Sequence, residues 1–164
     1  MILKSIRDID ESFLKSFSCG NIELDKFINR FALTNDLNGY GKTFVLFDEN
    51  RMIGFFTLCS SSIKYDEYPN FNENLFPKYP IPCVRIARLA VQNEYQGKGY
   101  GKELLRNALF RIIDVSKRVG VMLVIVDAKE SSKTFYEKYG FTPLIKGELT
   151  YYLLIDTLID GTNN

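Results

Sequence analysis

The chain has 164 residues, the usual size of one domain, with 46% apolar and 25% charged residues and a net charge of +1. It has no histidine, and its three cysteines, Cys19, Cys59 and Cys83, are scattered. This excludes zinc-finger and Cys–His nucleophile chemistry, leaves no metal-ligating set and suits a reducing cytosol. Arg7, Asp8, Asp10 and Glu11 rule out a signal peptide at the start, and the longest strongly apolar run, Val121 to Val126, is too short to cross a bilayer. A cytoplasmic protein without a membrane partner is expected.

The first residues read as a strand, and Asp10 then caps a short helical turn. Asn21 to Leu37 reads as a helix: Leu24, Phe27, Ile28 and Phe31 form one apolar stripe, Asn21 is the cap, and Asn38-Gly39 is the stop. Thr43 to Asp48 and Met52 to Ser60 read as a hairpin around Asp48-Glu49-Asn50-Arg51. Residues 64–82 hold four of the five prolines and read as an irregular, lid-like connection. Val84 to Val91 is an apolar strand broken by Arg85 and Arg88. Gly101 to Val119 is a helix with Leu104, Ala108, Ile112, Val115 and Val119 as its buried stripe, ended by Gly120. Val121 to Ala128 is a buried strand, Ser131 to Tyr139 a short helix closed by Gly140, and Phe141 to Ile145 and Leu149 to Ile155 are the last strands. The class is mixed α/β: one domain over residues 1–160 and a disordered tail at 161–164.

Between the strand ending at Val91 and the long helix lies Gln96-Gly97-Lys98-Gly99-Tyr100-Gly101. A helix N-terminus presents free N–H groups and the positive end of the macrodipole, so it binds phosphates. The glycines permit close approach and positive φ, and Lys98 and Lys102 add charge. A pyrophosphate is the natural guest; a glycine-rich turn with no ligand is the alternative. A Walker A loop does not fit, because Gly97 and Gly101-Lys102 are one residue too close and Glu103 replaces the metal-binding hydroxyl. A Rossmann fingerprint does not fit either, because Gly97-x-Gly99 is followed by Lys102. The pattern [QR]-x-x-G-x-[GA] fits completely.

The stretch from Ile86 to Leu144 resembles the core of the GNAT acetyltransferases. Arg88-Leu89-Ala90-Val91 is similar to the strand whose bulge bonds the pantetheine arm, Gln96 to Gly101 to the pyrophosphate loop, and Phe135-Tyr136-x-x-x-Gly140-Phe141 to the family's second signature. One departure is Lys129-Glu130-Ser131-Ser132, where many members carry Asn; Ser131 or Ser132 takes over that contact in this reading. The resemblance implies a GNAT fold, a central mixed, mostly antiparallel sheet of six to seven strands flanked by about four helices. It implies acetyl-CoA as co-substrate, no metal, and contacts from Leu89, Ala90, Val91, residues 96 to 102 (Gln96, Gly97, Lys98, Gly99, Tyr100, Gly101 and Lys102), Ser131, Ser132 and Phe135.

The implied chemistry is direct attack of an amine on the acetyl thioester. A backbone N–H near Leu89 to Val91 is the candidate donor to the oxyanion. Tyr136 matches the family's general acid for the departing thiolate; an aromatic core role is the alternative. No general base is evident. A lysine amine, pKa about 10.4, is almost fully protonated at pH 7, whereas an α-amino group at about 8 is partly neutral, so the chain leans toward an α-amino substrate.

Phe17-Ser18-Cys19-Gly20-Asn21-x-x-Leu24-Asp25-x-Phe27-Ile28, Thr43-Phe44-Val45-Leu46 and Ile53-Gly54-Phe55-Phe56-Thr57-Leu58 extend the likeness to GNAT toxins of bacterial toxin–antitoxin pairs, over about residues 13 to 155. That resemblance implies acetylation of aminoacyl-tRNA, arrest of translation, a ribbon-helix-helix antitoxin as partner, and the homodimers common in the family. The alternative is a GNAT enzyme of a small amine or a protein N-terminus. Lys98 to Arg118 carries a net charge of +4, and Arg85, Arg88 and Arg106 are the candidates for tRNA contact.

Overall fold

The computed structural model of the chain describes residues 1–162. Its elements are β1 (Ile2–Ser5), α1 (Glu11–Lys15), α2 (Ile22–Lys26), α3 (Ala32–Leu37), β2 (Lys42–Asp48), β3 (Arg51–Ile63), β4 (Ile81–Val91), α4 (Tyr100–Ser116), β5 (Leu123–Asp127), α5 (Lys133–Lys138), β6 (Thr142–Pro143), β7 (Thr150–Leu154) and α6 (Ile155–Thr162). Hydrogen-bonded strand neighbours follow the order β1-β2-β3-β4-β5-β7-β6. The β1–β2, β2–β3, β5–β7 and β6–β7 pairs are antiparallel and β4–β5 is parallel, the mixed sheet expected. The chain folds as two compact units, Met1–Cys59 with Ala87–Ala108, and Ser60–Ile86 with Leu109–Asn164.

In the first unit Asp10 and Asn21 cap as expected: Asp10 accepts the Ser12 N–H at 2.8 Å and Asn21 the Leu24 N–H at 3.1 Å. The helix predicted from Asn21 to Leu37 changes pitch, however. Phe27–Phe31 forms a single π-helical turn between α2 and α3. The wider turn adds a residue and slips the apolar stripe. Phe27 and Ile28 remain buried, Phe31 is 46% exposed, and Ala32 takes the inward position at 0%. Phe55 of β3 receives this face, edge-on to Phe17 at 5.3 Å and stacked on Phe27 at 6.1 Å. Burial of each such ring contributes about 1.5–3 kcal/mol. Gly54, next to Phe55, allows close approach of β3 and β4. A Cβ there would collide with the Ala90 carbonyl and lie 2.8 Å from Leu104 Cδ1.

Asp36, at 1% exposure, ties α3 to the start of the sheet. Its carboxylate accepts from Arg7 Nε at 2.6 Å, Lys42 Nζ at 3.1 Å and the Thr43 N–H at 2.9 Å. Burial raises its pKa, but the Thr43 N–H, Arg7 and Lys42 outweigh burial and hold the carboxyl below the ordinary carboxylate range. A depressed folded pKa gives stability that is present above the unfolded value, about 3.8, and lost as pH falls through the folded one. Asp36→Asn is expected to cost roughly 1–3 kcal/mol in urea denaturation at pH 7. The gap to wild type should close in acid below the folded value; a gap unchanged by acid would refute the charge-based account.

In the second unit β5 is buried on both faces, Leu123, Val124 and Ile125 all at 0% exposure. It pairs parallel with β4 (Cys83↔Leu123 to Ile86↔Val126) and antiparallel with β7. The proline-rich connection is not a loose lid along its whole length. Tyr68 is 5% exposed and meets Tyr152 edge-on at 5.8 Å, while Leu75 and Tyr79 are exposed.

Three expectations need correction. The long helix ends at Ser116, short of Gly120, and Val115 and Val119 are 41% and 58% exposed, because the chain turns away before completing the stripe. The strand expected over Phe141 to Ile145 is reduced to Thr142–Pro143, since proline has no N–H for the ladder. Beyond β7 the chain forms α6, which sequence reading missed; α6 includes Gly161 and Thr162 of the tail expected to be disordered. Residues 163–164 of that tail lie outside the described residues.

Candidate active site

The glycine loop belongs to the first unit. Strand β4 ends at Val91, a 3-10 turn spans Asn93–Tyr95, and α4 opens at Tyr100 with the Glu103 N–H bonded to the Gly99 carbonyl at 3.3 Å. Gly97 and Gly99 have φ of 72° and 88°, in the left-handed region that favours glycine. A Cβ at either would meet no atom within 4 Å, so the space over the loop is open. The first N–H groups of the seventeen-residue helix have no intrahelical acceptor, and its dipole adds positive potential at that point. Lys98 and Lys102 are exposed beside it. Tyr95 packs against the loop's end: its ring is edge-on to Tyr100 at 5.9 Å, and Lys98 Nζ lies 5.6 Å from it. These features fit a pyrophosphate.

The Gln96 side chain is tied to the scaffold. Its side-chain amide donates to the carbonyls of Cys19 at 2.9 Å and Val91 at 3.0 Å, so it anchors the loop to the scaffold. Asn93, which sequence reading passed over, also takes part: its N–H donates to the Ser18 carbonyl at 2.9 Å. The only sequence signal for it was its place in the turn before the motif. Leu89 and Val91 are half-buried on β4 and Ala90 is buried. The Arg88 guanidinium lies 3.7 Å above the Phe27 ring, a cation–π contact. Its burial disfavours the charged form. Arg106 pairs with Glu103 at 3.4 Å along α4.

Tyr136 belongs to the second unit, on α5. It is 6% exposed, between Phe135 at 5.1 Å and Phe141 at 5.6 Å, both edge-on. The Tyr136 carbonyl accepts the N–H groups of Tyr139 at 3.0 Å and Phe141 at 3.2 Å, which fixes the turn after the tyrosine. Burial pushes its phenol up to about 12, so it holds its proton across the physiological range. Phe135 also packs on Tyr139 at 5.1 Å and is part of this aromatic support. The Ser132 hydroxyl donates to the Lys129 carbonyl at 3.1 Å and accepts the Lys129 N–H at 3.0 Å, which orders the turn before α5; Ser131 is exposed. Arg85 pairs with Asp127, which in turn accepts from Thr150 Oγ1 at 3.0 Å. Among the described residues no group of acidic or cysteine side chains is placed to hold a metal ion. Among the same residues no helix is long and apolar enough to cross a membrane.

The chain matches the acetyltransferase (GNAT) domain over residues 39–143. It is 32% identical over 139 residues to a tRNA-acetylating toxin of Mycobacterium tuberculosis (strain ATCC 25618 / H37Rv), an alignment covering 84% of this chain and 82% of the toxin. Its fold is similar to that of AtaT complexed with acetyl-methionyl-tRNAfMet, with a TM-score of 0.86, 25% identity and coverage of 98% of each chain. It is also similar to AtaTR bound with AcCoA, with a TM-score of 0.85, 25% identity and coverage of 98% of this chain and 97% of that one. On the family match and the Mycobacterium relative together, the chain belongs to the GNAT acetyltransferases.

Proposed function

We propose that this chain transfers an acetyl group from acetyl-CoA to the α-amino group of aminoacyl-tRNA and so blocks translation. The observation that carries the donor half is the loop geometry: two left-handed glycines under open space at the start of α4. The acceptor half is supported by the likeness to a tRNA-acetylating toxin over 84% of the chain.

Acetyl-CoA supplies an acetyl group activated as a thioester. The N–H groups of residues 97–102 and the lysines Lys98 and Lys102 bind its pyrophosphate, and the strand from Leu89 to Val91 supplies an N–H to the carbonyl oxygen as charge develops there. Contacts to acetyl-CoA are proposed also for Ser131, Ser132 and Phe135. Tyr136, kept protonated by burial, gives its proton to the departing thiolate. The chain supplies no histidine as base, which suits an α-amino acceptor that is partly neutral at pH 7.

Arg106, on the first turns of α4, faces the tRNA backbone in this reading. Arg85 and Arg88 are held by Asp127 and Phe27, so each offers a phosphate its remaining N–H donors. Residues 1–160 act as one catalytic domain, a reading supported by the family match across 39–143. A cytoplasmic site of action, a small ribbon-helix-helix antitoxin and a homodimer complete the proposal.

The test is incubation of the protein with labelled acetyl-CoA and a pool of charged tRNAs, followed by mass spectrometry of the released aminoacyl-adenosines. Acetylated aminoacyl-adenosine is the expected product. Absence of label from every isoacceptor would refute the acceptor and leave the family assignment standing.

A further inference from the structure

A second layer of contacts lies behind the glycine loop, confined to residues 18–25 and 91–96 of the first unit. Cys19 sits at its centre. Its carbonyl accepts the Gln96 amide at 2.9 Å, and its N–H donates to Asp25 Oδ1 at 2.7 Å. The other oxygen of Asp25 accepts the Ser18 hydroxyl at 3.1 Å. The Ser18 carbonyl in turn accepts the Asn93 N–H at 2.9 Å. Asp25 is itself placed by α2, its N–H bonded to the Asn21 carbonyl at 2.9 Å. A carboxylate thus grips two consecutive residues whose carbonyls hold the segment leading into the loop. Bonds to a carboxylate are the stronger kind, and the Ser18–Cys19 peptide, which donates its N–H to Asp25 and accepts the Asn93 N–H at its carbonyl, polarises so that each bond reinforces the other.

We infer that Asp25 and Gln96 are positioning residues for the acetyl-CoA loop, linked through the backbone of Cys19, whose N–H one holds and whose carbonyl the other holds. The inference rests on the reading of residues 96–102 as the acetyl-CoA site. The loop needs such support because no neighbouring atom lies within 4 Å of where a side chain at Gly97 or Gly99 would begin. Glycines have the most conformational freedom to lose on binding, so a fixed starting point at Gln96 lowers the ordering cost met by the ligand. The effect therefore falls on acetyl-CoA affinity and not on the bond-breaking step.

The test uses the full chain with Asp25→Asn, Gln96→Leu and the double variant. Acetyl-CoA affinity is measured by calorimetry, and KM and kcat by acetyl transfer to the acceptor identified for the wild type. Each single variant is expected to weaken acetyl-CoA binding about tenfold, the effect of losing a hydrogen bond to a charged or anchoring group. The double variant should be no weaker than Gln96→Leu alone, and kcat at saturating acetyl-CoA should stay within about threefold, since uniform binding is what is lost. Wild-type affinity in both single variants, additive losses in the double variant, or a fall in kcat with KM unchanged would overturn the inference. If Asp25→Asn does not fold, Ser18→Ala, which removes the hydroxyl's bonds to Asp25 and to the Asn93 amide and leaves the backbone bonds, is measured with Gln96→Leu under the same criteria. Failure of the wild-type protein to bind acetyl-CoA would instead refute the reading of the loop.

Discussion

Tyr136→Phe is expected to slow acetyl transfer at least about tenfold while leaving acetyl-CoA binding nearly intact, because general acid catalysis contributes on the order of 10²–10⁴ and the hydroxyl is not needed for packing. The ring stays in place in this variant, held between Phe135 and Phe141. The comparison therefore isolates one oxygen and its proton. Full activity in the variant would remove Tyr136 from the mechanism and leave it as a core aromatic. An independent check is available at high pH. The folded phenol titrates at about 12 against 10.0 for the unperturbed group. A raised folded pKa gives stability fully present below the unfolded value and lost as pH rises through the folded one. Wild type should therefore lose stability between pH about 10 and about 12, and the Phe variant should lack that component in alkaline denaturation.

The second large effect is at the loop. Gly99→Asp is expected to abolish measurable acetyl-CoA binding. Two causes act together. The φ of 88° is outside the range that side-chain-bearing residues readily adopt, so the loop must shift or bear strain. The new carboxylate also enters the open space where the pyrophosphate is proposed to sit, at the positive end of α4, and repels it. Gly99→Ala separates the two causes, since it carries the strain without the charge. Calorimetry with acetyl-CoA should rank wild type above Gly99→Ala above Gly99→Asp. Near-wild-type binding by the Asp variant would place the phosphates elsewhere.

Much of the fold was legible because its signals are local. The caps Asp10 and Asn21 act within three residues of their partners, and the hairpin at Glu49-Asn50 closes where its polar turn implied, with Asp48 opposite Arg51. The runs buried on both faces, such as Leu123 to Val126, were plain from continuous apolar composition. The misses share a different cause. The π turn at Phe27–Phe31 keeps an acceptable helical pattern and only shifts its phase, so Phe31 looked like a core residue and is half exposed. Helix α6 follows β7 without a break, and its opening Ile155 is as favourable in a strand as in a short helix.

The amino-acid order alone was enough to mark the glycine loop at the start of a helix and Tyr136 as candidates and to exclude histidine chemistry, because glycine spacing and residue type need no knowledge of distant partners. Which polar side chains remain free for a ligand was decided only by the tertiary structure. Gln96 is 77 residues from Cys19 and Arg85 is 42 from Asp127. No local pattern reveals that the Gln96 amide is occupied by the scaffold or that Arg85 has an ion-pair partner. The same holds for the proton on Tyr136: its residue type is written in the chain, but its retention to about pH 12 comes from the desolvation that folding imposes.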